Sequence, residues 1–506
     1  MRRMTGLDGA FLAFESPTTH LHIAGVLIFD PAGVPGGVGF HRIRDMVAGR
    51  VSRVPPFRRR MVEVPFGLQH PTMVDDPEFD IDFHVRRVSL PQPGGQGELA
   101  ALVGDIVERP LDRSRPLWEF HVVEGLDHGH LAVVTKIHHA IIDGVSGAEV
   151  MAAFFDLSAR PSEPAPGSEP SSAERGTGDG GETGDGRERS ATGSEGWAPE
   201  PVPGDVDQLR DAVASLPGQT EAVARTLGAT ARTVRNLTGR NRQVEGAVPP
   251  LPFQAPRTSI NRAISPHRRV AFAEMPLADI RRIRGVLGGT VNDVVLASVS
   301  GAMRAFFTGR GETLESSLVA MVPISVRSDA ERGALGNRVS ATLVSLATGV
   351  DDPATRLKLI SAETRKAKQQ QETVGSELFS SWAQALFPMV STRVSRLVTN
   401  LRLFDRLPPV FNLVVSNIPG PDVALFMAGA RMVAIYPIGP VAEGVGVNVT
   451  VFSYLGTMYV GVQGCWDLVP DVDVIANGMV DALGDLVKEA NRRARPVPWW
   501  HSDPPC

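Results

Sequence analysis

The residues best placed to do chemistry lie in one short stretch, Lys136 to Gly147, which reads KIHHAIIDGVSG. Two adjacent histidines, His138 and His139, are followed by Asp143, with Gly144 directly after it. Imidazole takes and returns a proton near neutral pH, so a histidine facing a cavity is a candidate general base. Adjacent side chains at a strand end point to opposite sides, so one ring can face a cavity while the other packs or orients the backbone. An aspartate after a tight turn can fold back on its loop or pair with a cation. Gly144 allows a backbone angle that a side chain resists. Metal ligation fits less well. Neighbouring rings seldom converge on one ion, no cysteine is near, and the helical H-E-x-x-H spacing is absent. The bland alternative is two core histidines beside a turn aspartate. By chance such a motif arises in about two of a thousand chains of this composition and length, which favours function.

These residues need rigid neighbours. The run Leu131 to Ile137 is apolar and β-branched and reads as a buried strand. Gly147 to Leu157 places Val150, Met151, Phe154 and Phe155 on one helical face. The histidines therefore sit where a strand ends and a helix is about to begin, a loop that holds side chains firmly yet leaves them reachable. Upstream, Trp118 in RPLWE leads into a strand, Phe120 to Val123, expected to pair with Leu131 to Ile137. Trp118 itself is either a core wedge or a ligand contact. His22 to Phe29 reads as a strand, and Phe40 to Val51 and Leu99 to Val107 as helices. His20 and His22 read as surface or core histidines.

Further along, Val270 to Met275 reads as a strand and Leu277 to Leu287 as a helix. A second helix starts near Val291. At its N-terminus Asn292 can present an amide, and Asp293 can cap the helix or complement its dipole. Leu318 to Arg327 is a strand running into a turn, and Arg327 is a cation available to Asp143. A long helix covers Ala354 to Gln371. Phe411 to Pro421, FNLVVSNIPGP, is a strand entering a proline-fixed turn that carries Ser416 and Asn417. Val445 to Tyr454 and Thr457 to Gln463 form a hairpin turning at Leu455-Gly456, and Val474 to Arg493 is a closing helix.

At 506 residues the chain exceeds one ordinary domain. A net charge of -5 argues against a nucleic-acid partner. Two cysteines, Cys465 and Cys506, exclude a disulfide scaffold. The N-terminus has acidic breaks and no long apolar core, and no stretch reads as a spanning helix, so a cytoplasmic location is expected. Residues 158–204 are dominated by Pro, Gly, Ser, Glu and Asp and read as a disordered linker. They separate an N-terminal half, 1–157, from a helical connector, 205–255, and a C-terminal half, 256–506. Phe387 to Leu407 combines an apolar face with Arg393, Arg396, Arg402 and Arg406. That pattern suits either a core-packed helix or one lying on a lipid surface. Each half mixes strands with covering helices, so the class is α/β.

HHAIIDG resembles the H-H-x-x-x-D-G signature of the CoA-dependent acyltransferase superfamily. The P-L-W at Pro116 to Trp118, N-D-V-V-L-A from Asn292 and S-N-I-P-G-P from Ser416 narrow the resemblance to the bacterial wax ester synthase/diacylglycerol acyltransferase family. It extends to the opening L-D…F-L…E…P-T-x-x-x-H run and spans most of the chain. It implies two chloramphenicol-acetyltransferase-like halves with mixed sheets, joined by a linker and helical segment, with a channel between them. The implied reaction is transfer of a long-chain acyl group from acyl-CoA to diacylglycerol or a long-chain alcohol. His139 would be the base, with His138 and Asp143 in support. Gly144, Asn292, Trp118, Ser416 and Asn417 would contact substrate. Acyl-CoA is then a co-substrate, and no metal or other cofactor is implied. Contact with a membrane or lipid-droplet surface suits such acceptors. Two other readings stand beside this one. One is a lipid-binding or droplet-coating protein with a vestigial site. The other is a condensation-type acyltransferase with another acceptor.

Overall fold

The computed structural model describes residues 2–4, 6–65, 68–142, 147–159, 255–325, 339–373 and 408–494, with isolated positions at 204, 210, 214 and 405. Asp143, Gly144, Arg327, almost all of the linker and connector, and the basic stretch expected as a helix lie outside the described residues. Fifteen strands are described. They are β1 (Arg2–Arg3), β2 (His22–Asp30), β3 (Arg59–Val62), β4 (Thr72–Asp75), β5 (Val85–Ser89), β6 (Trp118–Glu124), β7 (Leu131–His138) and β8 (Arg268–Pro276). Then come β9 (Val319–Ser325), β10 (Val339–Ser345), β11 (Leu413–Ile418), β12 (Phe426–Met427), β13 (Ala430–Ile438), β14 (Val447–Tyr454) and β15 (Thr457–Cys465). The helices are α1 (Gly6–Ala13), α2 (Phe40–Arg50), α3 (Ile81–His84), α4 (Gln96–Val107), α5 (His139–Ile142) and α6 (Gly147–Phe154). In the second half they are α7 (Leu277–Leu287), α8 (Val291–Gly309), α9 (Pro353–Thr373) and α10 (Val472–Ala494).

Two six-stranded mixed sheets organise the molecule. The first runs β12-β13-β2-β7-β6-β5, antiparallel except for the β5–β6 pair. The second runs β10-β9-β11-β14-β15-β8, with β11 parallel to both β9 and β14. A small sheet, β1-β4-β3, lies apart. The interior strand β7 is buried along nearly its whole length, and only Thr135 is partly exposed. That accounts for its continuous apolar run, because alternation is seen only where one face meets water. The β14–β15 hairpin turns where expected, with φ of 46° at Leu455 and 81° at Gly456, the positive pair that such two-residue turns require.

Each sheet carries its own core. Val26, Phe29, Trp118, Phe120 and Val134 belong to the first, and Val294, Leu296, Met303, Val449 and Met479 to the second. The first core also takes Phe272, Phe452 and Tyr459 from strands of the second sheet, so the two layers pack together. Helix α8 is a principal buried element of the second core and begins with a closed cap. The Thr290 hydroxyl accepts the Asp293 N–H at 3.2 Å, and the Asp293 carboxylate accepts the Thr290 N–H at 2.8 Å.

The boundary expected at residue 256 does not separate the sheets. Residues 426–438 return to the first sheet, where β13 pairs with β2 from Arg431 opposite Asp30 to Ile438 opposite Ala24. The sequence gives no clean signal for this strand, since ARMVAIYPI lacks alternation and contains Pro437. A proline is tolerated because the short β12 covers only Ala430 and Arg431 of that edge. β13 also crosses close over β15. A Cβ at Gly461 would fall 1.8 Å from the Pro437 carbonyl oxygen, so only glycine fits there.

Candidate active site

β7 delivers the histidine pair, and the sheet ladder continues one step past it. The His138 N–H donates to the Leu117 carbonyl at 2.9 Å on the β6 side, and the His139 N–H donates to Leu21 at 2.9 Å on the β2 side. Both residues are thereby clamped between neighbouring strands. His139 opens the single-turn helix α5, which packs against α1.

The two rings have different fates. His138 is 1% exposed. Its Nδ1 accepts the Ala140 N–H at 3.1 Å, which leaves the ring proton on Nε2. Nε2 lies 3.0 Å from Glu15 Oε1, and Arg113 Nη2 holds the other Glu15 oxygen at 2.5 Å. Burial alone would raise the Glu15 carboxyl, but His138 and Arg113 outweigh it and bring it down to about 2. Glu15 is therefore a fixed anion. His139 is half-buried, and its ring stacks on Phe11 with centroids 4.2 Å apart and planes 19° apart. The described structure thus contains one histidine held against Glu15 and, beside it, one that is half-buried and stacked on Phe11.

Other expected site residues fall into two groups. Asn292, at the start of α8, and Asn417, near the end of β11, meet across 125 positions, with Asn417 Nδ2 donating to Asn292 Oδ1 at 3.4 Å. Ser416 precedes Asn417 on β11, opposite Thr450 of β14. Trp118 must be corrected as a substrate contact. It is 0% exposed, its indole N–H donates to the Phe57 carbonyl at 2.8 Å, and its ring stacks on Phe57 and His84. No face remains for a ligand, and the residue is a core wedge. Asp293 spends its oxygens on the α8 cap and on the Ser361 and Thr364 hydroxyls, a structural role. Among the described residues no group of three His, Cys, Asp or Glu side chains is arranged to hold a metal ion.

A cleft of about 490 Å³ opens beside this array, between the loop after α1, the chain after α4 and Pro266 of the second half. Glu15, His20, Glu108 and Arg113 contribute its polar wall.

The chain matches the model of the wax ester synthase/diacylglycerol acyltransferase catalytic domain over residues 4–295 and that of the family's C-terminal domain over residues 335–487. The chain belongs to that family. Among its relatives, a Mycobacterium tuberculosis protein provisionally named a diacylglycerol O-acyltransferase is 34% identical over 96% of this chain and 90% of its own length. A second such protein from the same organism is 33% identical over 96% and 97%. The wax ester synthase/diacylglycerol acyltransferase from Marinobacter aquaeolei VT8 shares the fold with a TM-score of 0.67 at 24% identity, covering 97% of this chain and all of that one. The first condensation domain of the CDA synthetase shares it more distantly, with a TM-score of 0.52 at 15% identity and 97% of each chain covered. The protein is thus an acyltransferase of the wax ester synthase/diacylglycerol acyltransferase type, built as two halves with mixed sheets.

Within the family frame, several residues of the site escaped sequence reasoning. Glu15 and His20 lie in the opening run that resembles the family, yet nothing in their spacing to His138 points to contact. Arg113 lies in a polar turn, LDRSRP, of ordinary appearance. Lys136, inside β7, is 1% exposed. Its Nζ donates to the Arg109 carbonyl at 2.6 Å and lies 3.9 Å from Glu119. Burial lowers its ammonium to about 8, against the pull of Glu119. His20 and His22 are both buried rather than exposed, and the His22 Nε2–H donates to the Val107 carbonyl at 2.8 Å.

Among the described residues no single helix is long and apolar enough to cross a membrane. The α7–α8 pair reaches the required length together but bends by 101°, and both helices contribute to the second core.

Proposed function

We propose that the protein transfers a long-chain acyl group from acyl-CoA to the hydroxyl of diacylglycerol or of a long-chain alcohol, with His139 as general base. The contrast between the two histidines carries this reading. His138 is immobilised by Glu15 and Ala140, whereas His139 is only half-buried at the same strand end. A base must be held in place and still reach the proton it takes.

In the proposed reaction a nitrogen of His139 takes the acceptor hydroxyl proton as the oxygen bonds to the thioester carbonyl carbon. The tetrahedral oxyanion collapses, the C–S bond breaks, and the CoA thiolate leaves and takes back the proton. Neutral amides such as Asn292 and Asn417 suit the stabilisation of that oxyanion, since they donate without changing charge. Asp143 would hold the loop, and Gly144 would let it turn. Acyl-CoA serves as co-substrate, and the chemistry needs neither a serine nucleophile nor a prosthetic group. Both acceptors reside in lipid, so the reaction belongs at a lipid–water interface. The arginine-bearing face of Phe387 to Leu407 would supply the contact.

The direct test incubates purified protein with palmitoyl-CoA plus dioleoylglycerol or hexadecanol and follows free thiol. Thiol release should exceed that with palmitoyl-CoA alone for at least one acceptor, and equality for both would sink the reading. Liposome flotation with Arg393, Arg396, Arg402 and Arg406 changed to glutamine checks the surface contact, which unchanged binding would remove.

A further inference from the structure

The loop that follows Glu15 is gripped by residues from much later in the chain. Thr18 presents two groups to them. Its hydroxyl donates to a carboxylate oxygen of Glu443, and its carbonyl accepts from Arg268 Nη2. Both anchors are themselves held. Glu443 and Gly444 form the apex of a turn closed by Ala442 and Val445, each of which donates its N–H to the other's carbonyl, at 3.2 and 2.8 Å. Gly444 has a φ of 76°, which glycine adopts freely, and its carbonyl accepts the Asn261 amide at 2.8 Å. The second Glu443 oxygen accepts the Ile264 N–H at 3.4 Å. Arg268 is 3% exposed, opens β8, and also donates to the Ser265 and His267 carbonyls.

The loop passes this grip back towards the histidines. Ser16 and Thr19 exchange both backbone hydrogen bonds at 3.1 Å. The Ser16 hydroxyl oxygen accepts the N–H groups of Thr18 and Thr19, at 3.3 and 3.1 Å, and lies 3.0 Å from the Thr18 hydroxyl. A hydroxyl has one proton to give, and that of Thr18 is spent on Glu443, so the Ser16 O–H donates to Thr18. Ser16 directly follows Glu15, whose carboxylate lies 3.0 Å from His138 Nε2. Arg113 holds the same carboxylate, but from an exposed turn. The buried anchorage of the loop is therefore at Thr18. Small misplacements of a catalytic group are costly, so what fixes this loop bears on the rate.

We propose that Glu443 is a positioning residue for the histidine pair: through Thr18 and Ser16 it fixes Glu15 against His138, so the second half of the chain completes a site carried by the first. This rests on the acyl-transfer reading above and adds to it a residue that acts through others. Glu443 acts on the pose of His138, and through it on the strand end that bears His139. Arg268 holds the same loop by its backbone, whatever side chain stands at position 18, so the loop stays attached when the Glu443 contact is removed.

The test measures kcat and the KM for palmitoyl-CoA, with dioleoylglycerol or hexadecanol as acceptor, and the urea midpoint of each variant. Glu443→Ala should lower kcat about tenfold and leave the KM within about a factor of two. Glu443→Gln, whose amide oxygen can still accept the Thr18 hydroxyl, should recover most of the loss. Thr18→Val keeps the shape and the carbonyl bonded to Arg268, and should reproduce the loss even if Glu443→Ala fails to fold. In a Glu15→Ala background Glu443→Ala should cost less than about twofold more, because the group through which it acts is already gone. Four results overturn the assignment and leave the acyltransferase reading standing. They are parental kcat in Thr18→Val and in folded Glu443→Ala, no recovery in Glu443→Gln, a full loss in the Glu15→Ala background, or a change confined to the KM. Absence of thiol release from the unaltered protein with both acceptors defeats that reading and this one together.

Discussion

At the end of β7 the side chains are ionisable and tightly paired, whereas at the end of β11 they are neutral amides and a hydroxyl. The β7 end joins His138, Glu15 and Arg113 in a chain of contacts of 3.0 and 2.5 Å. The β11 end brings Asn417 to Asn292 at 3.4 Å and holds no charge at its contact. Charged groups removed from water need close partners, since desolvation costs several kcal/mol per ion, and an amide pair tolerates a looser fit. The difference would suit the division of labour proposed above. Moving a proton calls for an ionisable ring in a fixed pose, and stabilising an oxyanion calls for donors whose own charge does not change.

Removing the ring at β7 should have the largest effect. His139→Ala is expected to lower kcat about 10²- to 10⁴-fold with the urea midpoint unchanged. Activity within a factor of two of the parent would break the comparison at its root. Glu15→Gln comes next. Arg113 is partly exposed and keeps Glu63, so stability should fall by only about 1 kcal/mol in urea unfolding, and kcat should fall with it as His138 loses its anchor. A variant with parental stability would mean that the array is decorative.

Acid should find the β7 end first. His20 is held at about 4 by burial and Arg268, below its ordinary 6.5, so the unfolded chain binds this proton before the folded one does. Its stabilisation is complete above pH 6.5 and lost as pH falls towards 4, amounting to roughly 2–4 kcal/mol. Glu15, at about 2 against an ordinary 4.5, adds a further loss between those values, of the same sign. Urea midpoints measured from pH 7 to pH 4 check this, and His20→Phe should flatten part of the slope. The smallest effect belongs to the amides. Asn417→Ala should lower kcat roughly tenfold or less, with neither the urea midpoint nor the acid slope altered. A large loss of stability there would show that the β11 end is structural.

Much of the fold was legible because its signals were local. β7, the β14–β15 turn at Leu455-Gly456 and the α7–α8 pair follow from apolar runs, positive-φ residues and caps within a few positions of one another. β13 was not, because its stability comes from β2, some four hundred residues earlier, and its own text contains a proline. The site divided in the same way. His138 and His139 stand out by adjacency, but Glu15 and Arg113 join them only through folding. For Trp118 the sequence favours a core wedge over the ligand contact that the family resemblance implies, and the ring is buried against Phe57 and His84.

The return of β13 to the first sheet also bears on how the molecule is made. A ribosome emits β2, β6 and β7 early, yet β13 does not exist until the chain has grown past residue 430. Until then β2 exposes an open edge to solvent, and the half that carries the histidines stays incomplete. Expressed alone, residues 1–157 should clump. Cleavage within 158–204 after folding should leave two pieces that stay together and travel as one, since β13 stitches the later piece into the earlier.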